Sequence, residues 1–219
     1  MIESGFINAD CMDYLKDYPD NYFDLCIADP PYGDASESSQ QTRPLRFHGG
    51  DRWNKYTNGK SVEWDIAPQK LFFDEIFRIS RNQIIWGGNF FELPPTRCFL
   101  IWRKLTISER FSMAMAEYAW TSFNANAKVY EKAPQDPTGQ RFHPTEKPLD
   151  LYLWLINNFA KDGDKILDPM CGSGNSLIAC HRIGHDYVGF EINPQYYKKA
   201  KARLNDEKAM MNIFDYLKE

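Results

Sequence analysis

The fold is decided by the stretch Lys165-Ile166-Leu167-Asp168-Pro169-Met170-Cys171-Gly172-Ser173-Gly174 together with the helix and strand on its C-terminal side. Lys165 to Leu167 reads as a strand that enters a glycine-containing turn, and Ser176 to Ile183 reads as a helix stopped by Gly184. Tyr187 to Phe190 is a second strand, ending at Glu191. This is the layout of a nucleoside-binding βαβ unit: glycines let the backbone approach a ligand closely, and an acidic side chain at the next strand tip can accept hydrogen bonds from both ribose hydroxyls. The third glycine of the dinucleotide fingerprint is missing, with Leu177 in its place, which disfavours NAD and a pyrophosphate. Taken alone, the turn is equally well explained as a tight connection between strand and helix.

Nearer the N-terminus, Phe23 to Ala28 forms a buried strand cut off by Asp29-Pro30-Pro31-Tyr32, because two prolines cannot continue a ladder. The tetrapeptide thus lies at the carboxyl end of a strand, where open α/β sheets place their ligands. A carboxylate, a prolyl carbonyl and an aromatic ring make a clamp for a planar ring bearing an NH2 group, with Asp29 and the Pro30 carbonyl accepting its protons and Tyr32 stacking on its face.

Elsewhere, short apolar runs alternate with helical stretches. Phe6 to Asn8, Ile84 to Trp86 and Cys98 to Trp102 read as strands, and Pro68 to Ser80, Pro148 to Lys161 and Pro194 to about Leu204 as helices, the last capped by Asn193. Glu117 to Ser122 with Ala127 to Tyr130 predicts an antiparallel hairpin at the sheet edge. The expected fold is α/β, a Rossmann-like doubly wound and mostly parallel sheet covered by helices on both faces. Residues 33–65 lack periodicity and read as a long loop or lid.

With 219 residues, 43% of them apolar and 26% charged, the chain suits one soluble globular domain. No run is long enough for a membrane span, and the first residues carry no basic-then-apolar leader, so a cytoplasmic protein without membrane contact is expected. Five cysteines with no C-x-x-C pair read as reduced thiols and give no metal site. A net charge of −4 excludes nucleic-acid binding by bulk charge, so any such contact needs a local patch. Arg43, Arg46, Arg52 and Lys55, interleaved with Phe47, Trp53 and Tyr56, form one candidate; a solvated polar loop is an equally good reading. His48, His181 and His185 show no partner spacing and read as surface residues.

Together these residues resemble the amino-methyltransferases of nucleic acids, whose catalytic motif is [DNS]-P-P-[YFW] and whose cofactor loop is commonly D-P-F-x-G-S-G. The catalytic motif precedes the cofactor loop here, an order that resembles the circularly permuted, beta-class DNA adenine methyltransferases, most closely the compact phage and prophage type. Asn8-Ala9-Asp10-Cys11, His143-Pro144-Thr145-Glu146-Lys147-Pro148 and Glu191-Ile192-Asn193-Pro194 match further segments of that group, so the resemblance covers roughly residues 1–32 and 64–205. Met170 stands where the family usually has Phe, and Asn175 where Thr is common.

The resemblance implies S-adenosylmethionine as cofactor, held by Asp10, Asp168, Met170, the turn Cys171, Gly172, Ser173 and Gly174, and Glu191, with Thr145 and Lys147 at its methionine end. It implies methyl transfer to the exocyclic amino group of a flipped-out adenine in double-stranded DNA, with Asp29, Pro30, Pro31 and Tyr32 as the catalytic set and no metal. Residues 33–65 then contact DNA through Arg43, Arg46, Arg52 and Lys55, and residues 123–142 are a reduced target-recognition segment giving short or relaxed specificity. A homodimer and a cognate restriction endonuclease are the further partners the resemblance admits. RNA adenine methylation, DNA cytosine amino methylation and a regulator that binds cofactor and nucleic acid without turnover are the alternatives. Cytosine carbon-5 chemistry is disfavoured, because Cys171 lies in the cofactor turn and not at the catalytic strand.

Overall fold

The apolar runs become strands of one sheet, and the amphipathic stretches become the helices that cover it. The computed structural model describes residues 4–32, 66–110, 114–134 and 141–216. Its elements are β1 (Gly5–Asn8), α1 (Met12–Leu15), β2 (Phe23–Ala28), α2 (Lys70–Ile79), β3 (Ser80–Trp86), a 3-10 turn (Gly88–Phe90), β4 (Phe99–Arg103), β5 (Ala116–Thr121), β6 (Lys128–Glu131), α3 (Leu149–Phe159), β7 (Ile166–Asp168), α4 (Asn175–Ile183), β8 (Tyr187–Glu191) and α5 (Pro194–Tyr216). The strands lie in the order β1-β8-β7-β2-β3-β5-β4-β6. Every neighbouring pair is parallel except the two that β5 makes, with β3 and β4.

This order contains a topological switch point. From β2 the chain moves through α2 to β3 on one side, whereas from β7 it moves through α4 to β8 on the other, and β2 and β7 are direct neighbours with Leu25 opposite Ile166 and Cys26 opposite Leu167. Crossovers that diverge from adjacent parallel strands leave a crevice above their carboxyl ends.

The two faces hold separate cores. On one, Leu25, Ile27, Ile84, Trp86, Leu100 and Ala119 pack under helices α3, α4 and α5 through Leu151, Leu155, Ile178 and Ala200. On the other, Cys26, Ala28, Ile85 and Val188 pack under α1 and α2 through Leu15, Phe72, Ile76 and Ile79. Period-two alternation explains this division: Ile84 and Trp86 point one way from β3 and Ile85 the other.

Several expectations are corrected. The predicted edge hairpin is not a pairing of residues 117–122 with 127–130: β5 pairs with β3 and β4, and β6 lies outermost, parallel to β4. The apolar face of Leu100 and Trp102 makes β4 a central strand with two partners, which displaces β6 to the edge. The 123–142 segment therefore contributes a strand to the sheet through β6. Helix α2 begins at Lys70 after Gln69, so Pro68 precedes it. Helix α5 continues to Tyr216, well past Leu204. The expected Asn193 cap is present, its side-chain oxygen accepting the Gln195 and Tyr196 amides at 2.9 and 3.2 Å. His185 is buried, with Nδ1 2.9 Å from the Asp164 carbonyl, and is not a surface residue. All five cysteines are buried free thiols. Among the described residues, no helix is long and apolar enough to cross a membrane. The lid at 33–65, with Arg43, Arg46, Arg52 and Lys55, lies outside the described residues.

Candidate active site

The glycine elbow hangs from β7 and is built by its own aspartate. Asp168 accepts the Met170 amide at 3.0 Å through Oδ1 and the Ser176 hydroxyl through Oδ2, so both oxygens serve the turn. Burial pushes this carboxyl up to about 7 against the lowering effect of those two bonds. The Cys171 amide donates to the Phe190 carbonyl at 2.8 Å, which fixes the elbow to the neighbouring strand β8. Gly172 and Gly174 stand at φ 52° and 76°, a region open to glycine at little cost. A Cβ at Gly172 would come within 3.1 Å of the His143 ring, so the turn is also tight by contact.

Glu191 closes this half of the site. Its Oε2 accepts the Gly172 amide at 2.9 Å and its Oε1 the Asn193 amide at 2.7 Å, which ties the tip of β8 to the elbow. Burial raises its carboxyl to about 7 despite these donors. Asp10 follows the adjacent strand β1, is exposed, and accepts the Met12 amide at 2.9 Å. The Cys171 thiol is buried and lies 3.3 Å from the Asp168 carbonyl; burial pushes it well above the ordinary thiol range, which suits a packing role and not a nucleophile.

The second half follows β2. Asp29 is partly buried and Pro30 buried, and the Tyr32 hydroxyl donates to Asp29 Oδ1 at 3.1 Å. The Tyr32 ring stacks on Phe90 with centroids 4.9 Å apart at 24° and meets Phe91 edge-on. Burial raises the Asp29 carboxyl; the Lys147 ammonium 2.5 Å from Oδ1 pulls it back, and Glu117 adds to the push.

The Lys147 ammonium, expected at the methionine end of a cofactor, is paired in the structure with Asp29 and lies 3.2 Å from Glu117. Thr145 is exposed, with its hydroxyl 3.3 Å from His143 Nδ1. The segment carrying both is clipped to the elbow: Asn175, the first residue of α4, donates to the Lys147 carbonyl at 2.8 Å and to Glu146 Oε1 at 3.1 Å, while Arg203 of α5 donates to Asn175 Oδ1 at 2.8 Å.

Glu117, Lys104 and Tyr152 escaped the sequence reading. Glu117 is held down to about 2, because Lys147 and Lys104 together outweigh the burial that would raise it. The available signal was alternation in Ala116-Glu117-Tyr118-Ala119-Trp120-Thr121, which puts Glu117 on the same face as the fully buried Ala119 and Thr121. Tyr152 of α3 is buried, and burial, with the Asp29 and Asp168 charges adding to it, raises its hydroxyl well above the ordinary range.

The two motif tips therefore follow the carboxyl ends of adjacent parallel strands at the switch point. A family model described as DNA methylase, of the N6/N4 type, matches residues 54–202. YubD of Escherichia coli (strain K12), provisionally named a methylase, is 28% identical over 214 residues, covering 92% of this chain and 90% of that protein. The type II methyltransferase M.HinfI of Haemophilus influenzae is 26% identical over 257 residues, covering 96% of this chain and 71% of that enzyme. Among solved structures, an M1.HpyAVI–SAM complex superposes with a TM-score of 0.55 at 21% identity, covering 90% and 98% of the two chains. The PvuII cytosine-N4-specific DNA methyltransferase does so with a TM-score of 0.59 at 11% identity, covering 94% and 92%. The fold is thus that of known methyltransferases, and the family match spans well over half of the sequence. This chain belongs to the N6/N4 DNA methylase family.

Proposed function

We propose that this protein transfers a methyl group from S-adenosylmethionine to the exocyclic amino group of an adenine flipped out of double-stranded DNA. The observation that supports this reading is the adjacency of β2 and β7 at the switch point, which puts the Asp29 tetrapeptide and the glycine elbow after the same ends of neighbouring parallel strands. The elbow fits a nucleoside: Glu191 presents a buried carboxylate at the tip of β8, beside a turn that Gly172 and Gly174 build at positive φ. When bound, the cofactor supplies an electrophilic sulfonium methyl. Glu191 would accept from its ribose, with Asp10, Met170 and the turn Cys171 to Gly174 lining the rest and Thr145 at the outer edge; Asp168 acts by shaping the turn.

Asp29 and the Pro30 carbonyl then accept the two protons of the amino group, and Tyr32 stacks on the base. Held so, the nitrogen regains lone-pair density that ring delocalisation otherwise withdraws. Catalysis comes from positioning and fixed charge. Aspartate at position 29 favours adenine, because relatives acting on cytosine more often carry Ser there. The beta-class order, with residues 29–32 ahead of residues 168–174, favours DNA over RNA.

Incubation with labelled S-adenosylmethionine and duplex DNA, single-stranded DNA or RNA, followed by nucleoside analysis, tests the reading. N6-methyladenine in duplex DNA is expected; N4-methylcytosine as sole product, or methylation of RNA alone, would refute it. Asp29→Ala should abolish turnover and leave cofactor affinity within about threefold of wild type, since the tetrapeptide lies outside the elbow.

A further inference from the structure

The Lys147 side chain is 3% exposed, and a lone ammonium at that depth is costly unless paired. It is paired on two sides. Nζ lies 2.5 Å from Asp29 Oδ1 and 3.2 Å from Glu117 Oε2, while the other oxygen of Glu117, Oε1, lies 2.6 Å from Lys104 Nζ. The order Lys104, Glu117, Lys147, Asp29 alternates in sign and balances, two ammonium groups against two carboxylates. The Trp86 ring lies beside it, with its centroid 5.2 Å from Lys147 Nζ. The four charges come from four places in the fold: the end of β4, the start of β5, the segment before α3 and the tip of β2.

A buried ion-pair chain often adds little net stability over apolar packing, so its presence asks for another explanation. The geometry at Asp29 supplies one. Lys147 and the Tyr32 hydroxyl converge on the same oxygen, Oδ1. A carboxylate gripped from two sides on one oxygen is restrained in rotation. Lys147 is itself anchored by its carbonyl to Asn175, at the start of the helix that leaves the elbow.

Resting on the function proposed above, we propose that Lys147 is a positioning residue: backed by Glu117 and Lys104, its ammonium holds Asp29 as a carboxylate turned so that Oδ2 meets the amino group of the target base. Lys147 acts through Asp29, touches neither cofactor nor base, and adds no chemical step. Lysine is suited to the place, as a compact charge on a flexible four-carbon stem beside the Trp86 ring. The groups facing Asp29 are Lys147, Tyr32, Glu117 with Lys104 behind it, Tyr152 of α3 and Asp168 of β7.

The test is the pH profile of kcat for DNA methylation, measured beside calorimetric S-adenosylmethionine affinity, in wild type, Lys147→Met and Lys147→Arg. Lys147→Met should lower kcat at pH 7 by about 100-fold and move the acidic limb up by about one pH unit or more, because Asp29 loses its stabilising cation, with cofactor Kd within about threefold. Lys147→Arg should return the limb to its wild-type position. Lys147→Gln carries the same test should the Met variant not fold. An unmoved limb, or a loss seen as a tenfold or greater rise in cofactor Kd, would overturn the proposal. Wild type inactive on adenine in DNA would instead refute the proposed function, so the two failures are distinct.

Discussion

Gly87 offers a direct way to move one catalytic group without touching it. The residue closes β3 at φ 66°, its amide bonded to the Tyr118 carbonyl at 2.8 Å. A Cβ built there would sit 2.1 Å from Tyr32 Cε1 and 2.6 Å from Cδ1 and Cζ. In Gly87→Ala the ring must retreat by about 1 Å or more to regain van der Waals contact, and its stacking on Phe90 is disturbed with it. Backbone strain adds about 1–2 kcal/mol for an alanine in the left-handed region. For a chain of this size that lowers Tm by about 2–8 °C. A displacement of about 1 Å in a positioning group costs on the order of 100-fold in rate, so kcat should fall by about that factor. Cofactor affinity should stay within about threefold, because β2 separates the strand that Gly87 closes from the strand that carries the elbow. Thermal melting, calorimetry with S-adenosylmethionine and single-turnover methylation read the three effects separately. Wild-type turnover in a variant whose Tm has dropped as expected would show that the seat of Tyr32 on this turn does not govern the reaction.

Glu191 titrates near 7, so its affinity for ribose hydroxyls should depend on pH: cofactor binding strengthens as pH rises from about 6 to 8, by up to about tenfold, and levels off above. Glu191→Gln should bind more weakly at pH 8 and show a flat profile; a wild-type profile that falls with rising pH would contradict this. Glu117 presents the opposite sign, since its folded carboxyl is held at about 2 and its ionised form is favoured by folding. Glu117→Gln leaves two buried ammonium groups short of a counter-charge and should cost about 3 kcal/mol, lowering Tm by roughly 6–12 °C. The wild-type advantage should be constant above about pH 5 and shrink as pH falls towards 2; denaturant titrations that find it growing on acidification would refute the assignment.

The elbow and the tetrapeptide were legible because their signals are local. Paired prolines end a strand wherever they occur, and glycines between a strand and a helix mark a turn whatever surrounds them. Adjacency of the two motifs was an inference from sheet logic, and the pairing of Leu25 with Ile166 and Cys26 with Leu167 supports it. The position of β5 was not legible. Its pattern alternates as an edge strand would, and only the apolar demand of β4 sets it inside the sheet, between β3 and β4. The ion pairs of Lys147 were not legible for a related reason. A lysine in a loop is ordinarily solvated, and its burial depends on Glu117, thirty residues away in sequence, whose own charge argued for the surface. The extent of α5 was hidden because Asn205-Asp206-Glu207-Lys208 directly after Leu204 is a wholly polar run, which reads as the end of a helix.

The hairpin made by β4 and β5 has its turn on the same rim as the crevice, because β4 ends there and β5, running the other way, begins there. Trp102 opposite Glu117, Arg103 opposite Ala116, and the Lys104 amide bonded to the Met115 carbonyl at 2.8 Å lock the two arms at their last residues before the turn. The charged pair is thus held by ladder geometry, and the intervening chain between Leu105 and Ala114 is left free of that duty. Insertions or wholesale replacement of this turn can accumulate over evolutionary time without shifting the carboxylate and ammonium that it joins. Such an arrangement lets the buried charges keep their places by strand pairing alone, whatever sequence the connection carries.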